Sequence, residues 1–370
     1  MPDHDSRRSR LARRSGVALG VLGCVVGAGF LVVVGNDARG EARSHRRDAD
    51  AVEMMQWRAA LRRVVLDDVN LQMLHVYDEA TTAEVERAAR QRVSLAAVAR
   101  EPLERLATSG SRDVRGEADA TLEVLGGEVF QTPADVDPND LYDATWAVLD
   151  GGRPPVSQLR NDLVGLHELM TLDSVGRLVL NDALDAAYTI DPRPVPAHME
   201  DYVGQSAGYI RSDDAGYLGP DGEHPLIESW LYDAIADPPH PALAEIETIV
   251  AGSDLWAYDQ WVQSWTDDGP DPGAAPLTLG ELVAEADRVD AELRGLVDSE
   301  LEAAHEAYLD DASARERTAR LAFGAAIGLV IVALGVVGAL ARRQWRAMRL
   351  AADQRGRDPL TGVYNRYQLD

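Results

Sequence analysis

Two uncharged apolar runs near opposite ends of the chain constrain its fold more than any other feature. Residues 16–35 and 321–341 contain no Asp, Glu, Arg or Lys. About twenty residues at 1.5 Å rise cross a hydrocarbon core of roughly 30 Å, so each run is predicted to be a transmembrane helix. The first is longer than the apolar core of a signal peptide, which holds about 7–15 residues, and no clear small-x-small cleavage site follows it. It therefore reads as an uncleaved anchor. Arg7, Arg8, Arg10, Arg13 and Arg14 precede it, and Arg342, Arg343, Arg346 and Arg349 follow the second run. The excess of positive charge on these flanks places both termini in the cytoplasm and residues 36–320 outside.

Charge follows the same division. The chain carries −26 overall; residues 1–15 hold +3 and residues 342–370 hold +4, so 36–320 carries −33. A domain this acidic repels nucleic acid and anionic headgroups, which excludes a nucleic-acid partner. The lipid bilayer is the partner the two runs require. The one cysteine, Cys24, lies inside the first run. No intrachain disulfide and no zinc–thiolate site can form, and a segment of this length can hold its core by packing alone.

The outside segment reads as mainly α-helical. Trp57, Leu61, Val64 and Leu71 recur at helical spacing with charged residues between them. This predicts a helix over about 48–77 continuing from the first span. Leu282, Ala286, Val289, Leu293 and Leu296 follow spacings of 4, 3, 4 and 3, the pattern of a coiled-coil or bundle seam, on a helix that runs into the second span. Further helices are expected at about 81–109, 113–127, 139–150, 155–189 and 240–265, punctuated by Gly151-Gly152, by the Pro/Gly-rich 191–226 and by 267–276. The expected architecture is an extracytoplasmic helical bundle, one long or two stacked, between two transmembrane helices. At fold level this resembles the helical sensor domains of bacterial chemoreceptors and nitrate sensors, which says little about a ligand.

Candidate ligand-binding residues in the bundle are few. Tyr258, Trp261 and Trp265 share one helix face, with Trp256 nearby. Such a stripe either packs in a core or lines a pocket for an aromatic or cationic ligand. Arg62 and Arg63 form a pair that either binds an anion or ion-pairs along a helix face. Two apparent motifs fail on inspection. Asp135–Asn139 opens like a calcium loop, but Asp140 stands where glycine is needed and Trp146 where the bidentate Glu belongs. His167-Glu168 lacks the second His of a zincin helix, since position 171 is Thr.

The last residues carry the most chemical information. Asp358-Pro359-Leu360-Thr361-Gly362-Val363-Tyr364-Asn365-Arg366 resembles the opening of a GGDEF domain, the α/β catalytic domain of bacterial diguanylate cyclases. That family begins with Asp-x-Leu-Thr-Gly-Leu-x-Asn-Arg. This chain departs at Val363, where Leu is usual, and at Tyr367, where a second Arg is common. The resemblance covers the start of a truncated GGDEF domain, 358–370, and none of its active site. Asp358, Leu360, Thr361, Gly362, Asn365 and Arg366 carry over as a structural coupling turn and first helix, without a catalytic role. What the resemblance implies is a transmembrane sensor in the bacterial cell membrane regulating conversion of two GTP to cyclic di-GMP. A complete member needs GTP and magnesium; this chain holds no cofactor site. Gly126–Phe130 is similar to the family's signature with one mismatch, but lies upstream of the opening and on the wrong side of the membrane.

Residues 342–357 are expected to form a juxtamembrane signalling helix, about 24 Å long at 1.5 Å per residue. Trp345, Met348 and Ala352 lie at 3 and 4 spacing, as in a short parallel coil, so a homodimer is expected. A small extracytoplasmic ligand is the expected input. The alternative reading is a non-enzymatic two-span receptor or dimerisation protein with a degenerate tail.

Overall fold

The structure is a computed structural model that describes residues 4–133, 136–150, 161–203, 239–263 and 275–355. The opening motif at 358–370 and Trp265 lie outside the described residues, as do most of 191–226 and most of 267–276. Among the described residues the chain is mainly helical and shows no strand. The α/β part of the expected fold is therefore not seen in it.

In chain order the helices are α1 (His4–Val76), α2 (Thr82–Ser109), α3 (Arg112–Leu125), α4 (Pro138–Asp150), α5 (Asn161–Leu172), α6 (Val175–Ile190), α7 (Leu243–Ala251), α8 (Asp254–Gln263) and α9 (Leu279–Arg355), with short 3-10 turns at Glu128–Phe130 and Ala197–Met199. The first and last helices are continuous through both apolar runs, as predicted. Two compact units divide the chain: Met1–His45 with Asp310–Asp370, and Arg46–Leu309.

In the first unit α1 and α9 pack through small residues. Ala28, Ala38 and Ala42 are buried on α1, and Ala312, Ala319, Ala322, Ala326 and Ala333 on α9. Small side chains let helix backbones approach closely, the usual solution where hydrocarbon surrounds the pair. The Phe323 ring lies so near Gly35 that a Cβ there would sit 3.0 Å from it. Arg39 covers the same ring at 4.3 Å, and Arg315 pairs with Glu41 at 2.9 Å. Phe323 and Leu329 seat against glycines in the seam, while Leu19, Leu22, Val26, Phe30, Ile327 and Ile331 are exposed. Windows of 18 residues in the two helices reach mean hydropathies of 2.4 and 2.5, with only 11% and 17% of each window buried. A soluble core helix would be covered. These helices are long and apolar enough to cross a membrane and are compatible with a membrane protein.

The second unit is a helical bundle built around residues 52–77 of α1. Val52, Met54, Leu61, Val65, Leu66, Val69 and Met73 are buried, but so are Arg58, Arg62, Asp68, Asn70 and Gln72. Of the four residues that defined the apolar stripe, Leu61 is buried and Trp57, Val64 and Leu71 are partly buried. The helix is enclosed on nearly every side, and its charges are satisfied by neighbouring helices instead of by water.

Turns and caps set the helix limits. Asp78 adopts φ 62, and the Glu79 N–H donates to the Leu74 carbonyl at 3.0 Å, closing α1 in a left-handed cap. Thr81 and Glu84 then form a capping box that starts α2. The same reciprocal arrangement, Thr278 with Glu281, starts α9. Two expected long helices are each broken in two. Residues 161–190 divide at Asp173-Ser174, where the Ser174 hydroxyl donates to Asp173 and Arg63 grips the same carboxylate. Residues 243–263 divide at Gly252-Ser253, where the Ser253 hydroxyl donates to the Val250 carbonyl. Local polar side chains compete with the helix ladder at both points.

The predicted seam on α9 is buried within this bundle. Leu282, Ala286, Val289 and Leu293 are buried, after which Val297 and Leu301 take over from the expected Leu296. Spacings of four keep the stripe on one face of a straight α-helix, where a strict heptad would drift. The seam thus serves the fold of a single chain.

Gly176 opens α6 against α9. A Cβ there would lie 2.6 Å from the Asp290 carboxylate and 2.8 Å from the Ala286 carbonyl. Gly176→Ala is expected to destabilise the protein by about 1–3 kcal/mol through forced separation of the two helices. Gly116→Ala, in the middle of α3 with nothing within 4 Å, is expected to stabilise it by up to about 1 kcal/mol. Paired thermal melts check the opposite signs.

Candidate functional site

The bundle encloses a cavity of about 250 Å³ between α1, α2, α6 and α9. Each helix contributes one face. On α1 these are Asp67, Asn70, Leu71 and Leu74, and on α2 they are Glu84, Arg87, Ala88 and Gln91, both at i, i+3, i+4 and i+7. Arg177 and Leu180 come from α6, and Val283 and Asp287 from α9. Leu74, Ala88 and Leu180 are buried and, with the half-buried Leu71 and Val283, form an apolar lining. Arg87, Gln91 and Asp287 are exposed, so the cavity opens on their side.

One wall is electrostatically crowded. The Arg177 guanidinium donates to Asp67 at 2.5 Å, pairs with Asp287 at 2.6 Å and stands 3.7 Å from Asp290. Burial works against its charge, yet the three carboxylates outweigh that effect and hold its pKa above the ordinary guanidinium range. Asp290 also accepts the Gly176 N–H at 2.8 Å, placing a carboxylate at the start of α6. Burial pushes the Asp290 carboxyl up to about 7, so the excess of negative charge on this wall rests on Asp67 and Asp287 against the one base. Below it Asn70 donates to the Arg177 carbonyl at 2.9 Å and accepts from Asn181, which in turn bonds Tyr202. This network fixes α1 to α6.

The α2 side differs. Glu84 is engaged in the Thr81 capping box, whose hydrogen bonds hold its pKa below the ordinary carboxylate value. Arg90 pairs with Glu86 on the outer face. Arg87 and Gln91, one helical turn apart, make no hydrogen bond or ion pair among the described residues. Arg87 lies close enough to Glu84 for its charge to help hold that carboxyl low, and both side chains stand beside an apolar lining.

The residues proposed from sequence go to other places. Arg63 donates to Asp173 at 2.5 Å and holds Asp298 through two nitrogens at 2.6 and 3.1 Å. Arg62 is buried and donates to the Thr171 carbonyl at 2.8 Å. Both arginines thus tie α1 to the α5–α6 junction. Tyr258 and Trp261 stack at 5.2 Å with their planes tilted by 60°. Tyr258 is buried, Trp256 and Trp261 pack against the core, and burial pushes the Tyr258 hydroxyl up to about 12. The described members of the stripe, Trp256, Tyr258 and Trp261, pack in or against the core, one of the two roles the spacing allowed.

On α6, Asp182 faces the buried Asp259 of α8. Burial, and then the like charge, push the Asp182 carboxyl up to about 7. A carboxyl raised in the folded state stabilises it fully below the unfolded value of about 4, and that contribution is lost as pH rises through about 7. The melting temperature is expected to fall between pH 5 and pH 8, and Asp182→Asn to remove part of that fall. An unchanged pH slope in the variant would refute the assignment.

Among the described residues no cluster of His, Cys, Asp or Glu could hold a metal ion. No family model matches the chain, and neither a curated protein nor a solved structure matches it.

Proposed function

We propose that this chain is the sensory and membrane-spanning part of a receptor that regulates a cytoplasmic diguanylate cyclase output, in which two GTP are converted to cyclic di-GMP with magnesium. The observation that carries the reading is the Asp358–Arg366 motif, placed sixteen residues after the second apolar run. The six fixed positions resemble the opening of the GGDEF domain at the spacing the family uses. Residues 1–370 include none of the family's nucleotide- or metal-binding set, so the chemistry is assigned to the domain that this motif opens. The described part of α9 runs without a break to Arg355 and leaves Trp345 and Met348 exposed. That supports a homodimer joined through this helix. Basic flanks on both spans support a two-pass arrangement in the bacterial cell membrane with both termini cytoplasmic.

The test is to read the gene beyond codon 370 and assay the full product. A frame that continues for about 150 residues, one domain in length, and contains Gly-Gly-(Asp/Glu)-Glu-Phe is expected. Membranes holding that product, given GTP and magnesium, should form cyclic di-GMP. A frame that stops at Asp370 would leave a receptor without an enzyme. Topology is checked separately in a Cys24→Ser background. An impermeant maleimide applied to intact cells should label Ser109→Cys and leave Gln344→Cys unlabelled.

A further inference from the structure

The cavity between α1, α2, α6 and α9 has more than shape. Its volume of about 250 Å³ equals the share of roughly eight waters at about 30 Å³ each, which suits a molecule of about ten heavy atoms. It is too small for a nucleotide or a folded peptide. Its lining divides into three parts of different chemistry: apolar side chains, a carboxylate-rich wall around Arg177, and Arg87 and Gln91 on α2 next to the capping Glu84.

Each part selects. A guanidinium whose N–H groups make no hydrogen bond binds a carboxylate well, because its N–H fork matches the two oxygens. Arg87 supplies that group, and the Gln91 amide one turn along adds a neutral donor. A simple carboxylic acid, however, would also meet the excess negative charge of Asp67 and Asp287 around one arginine. A simple amine would meet those acids but leave Arg87 facing a second cation. A molecule carrying both charges on neighbouring atoms satisfies both walls, and an apolar tail fills the remaining space.

We propose that this cavity binds a small zwitterion with an apolar body, an α-amino acid with a side chain about the size of leucine. Its carboxylate goes to Arg87 and Gln91, its ammonium to Asp287 and Asp67, and its side chain to the lining of Leu71, Leu74 and Leu180. The proposal deepens the sensory reading by naming the input, but the binding itself rests only on the cavity.

The experiment is isothermal titration of the full chain in detergent or lipid nanodiscs with L-leucine, 4-methylpentanoate and 3-methylbutylamine. The last two keep the body and remove one charge each. Leucine is expected to bind, and each single-charge analogue to bind at least about tenfold more weakly, the loss of one charge-assisted contact. Arg87→Ala should weaken leucine at least about tenfold. Arg90→Ala, on the outer face of the same helix, should leave it unchanged. Both arginines are exposed, so neither change threatens the fold. No heat from leucine, valine or phenylalanine up to about 10 mM would overturn the proposal. So would equal binding of 4-methylpentanoate, or an Arg87→Ala variant that binds like the parent. No GTP is present, so a negative result here leaves the cyclase reading standing, and a negative cyclase assay leaves this one standing.

Discussion

Arg92→Ala is expected to destabilise the bundle by about 3–5 kcal/mol, the usual consequence of removing one partner of a buried ion pair. Arg92 and Asp68 are both 0% exposed, with nitrogen and oxygen 3.2 Å apart. Arg92 also donates to the Thr132 carbonyl at 3.2 Å, and Gln72 donates to Asp68 at 3.3 Å. Burial pulls the Arg92 pKa below the ordinary guanidinium range, and the attraction of Asp68 only partly opposes it. The pair is therefore costly to bury and still more costly to break. At about 2–4 °C per kcal/mol for a domain of this general size, a melting-temperature drop on the order of 10 °C should be seen. Replacing both residues with leucine should recover most of the loss, because no uncompensated charge then remains. If Arg92→Ala melts within about 2 °C of the parent, water reaches Asp68 and the pair is not sealed.

Leu293→Asp should be at least as damaging. Leu293 is 0% exposed in the core of the Arg46–Leu309 unit. Truncating a buried leucine alone costs about 2–5 kcal/mol, and a carboxylate must in addition be desolvated or protonated. Against a total stability of about 5–15 kcal/mol this approaches unfolding. The measurement is circular dichroism with a melt at several protein concentrations. Loss of helix that does not depend on concentration places Leu293 in the fold of one chain. Concentration-dependent loss would return the seam to an interface between chains. Leu309→Asp, at a site 46% exposed, is expected to change stability by no more than about 0.5 kcal/mol.

Much of the architecture was legible because helices announce their ends. The Thr81/Glu84 pair, the Gly-rich breaks and the long apolar runs each act within a few residues, and the predicted limits of α2, α3 and α4 match the observed ones closely. Burial was harder to read. Arg58, Arg62 and Asp68 look like a solvated face in sequence, because their partners Glu117, Asp173 and Arg92 come from other helices. The breaks at Asp173 and Ser253 were missed for a related reason. At Asp173 the carboxylate is held by Arg63 from α1, whereas at Ser253 the hydroxyl competes locally for the Val250 carbonyl. The cavity was invisible for the same cause, since its lining comes from four helices. Within α1 and α2 alone, though, polar residues at i and i+3 followed by leucine or alanine at i+4 are a recognisable trace of a wall. The opening motif at 358–370 was found by likeness to a family, and packing arguments do not bear on it.

The alanine seam of the Met1–His45 and Asp310–Asp370 unit has a mechanical consequence. Methyl groups let the two backbones lie close together, and the glycines leave sockets that larger side chains fill. The Phe323 ring seats against Gly35 and a Leu329 methyl against Gly27, while the Arg315–Glu41 pair adds a polar tie. The result is a rail with two notches that act together. Displacements of 1–2 Å, the scale of ordinary helix shifts, must lift both side chains from their sockets at once.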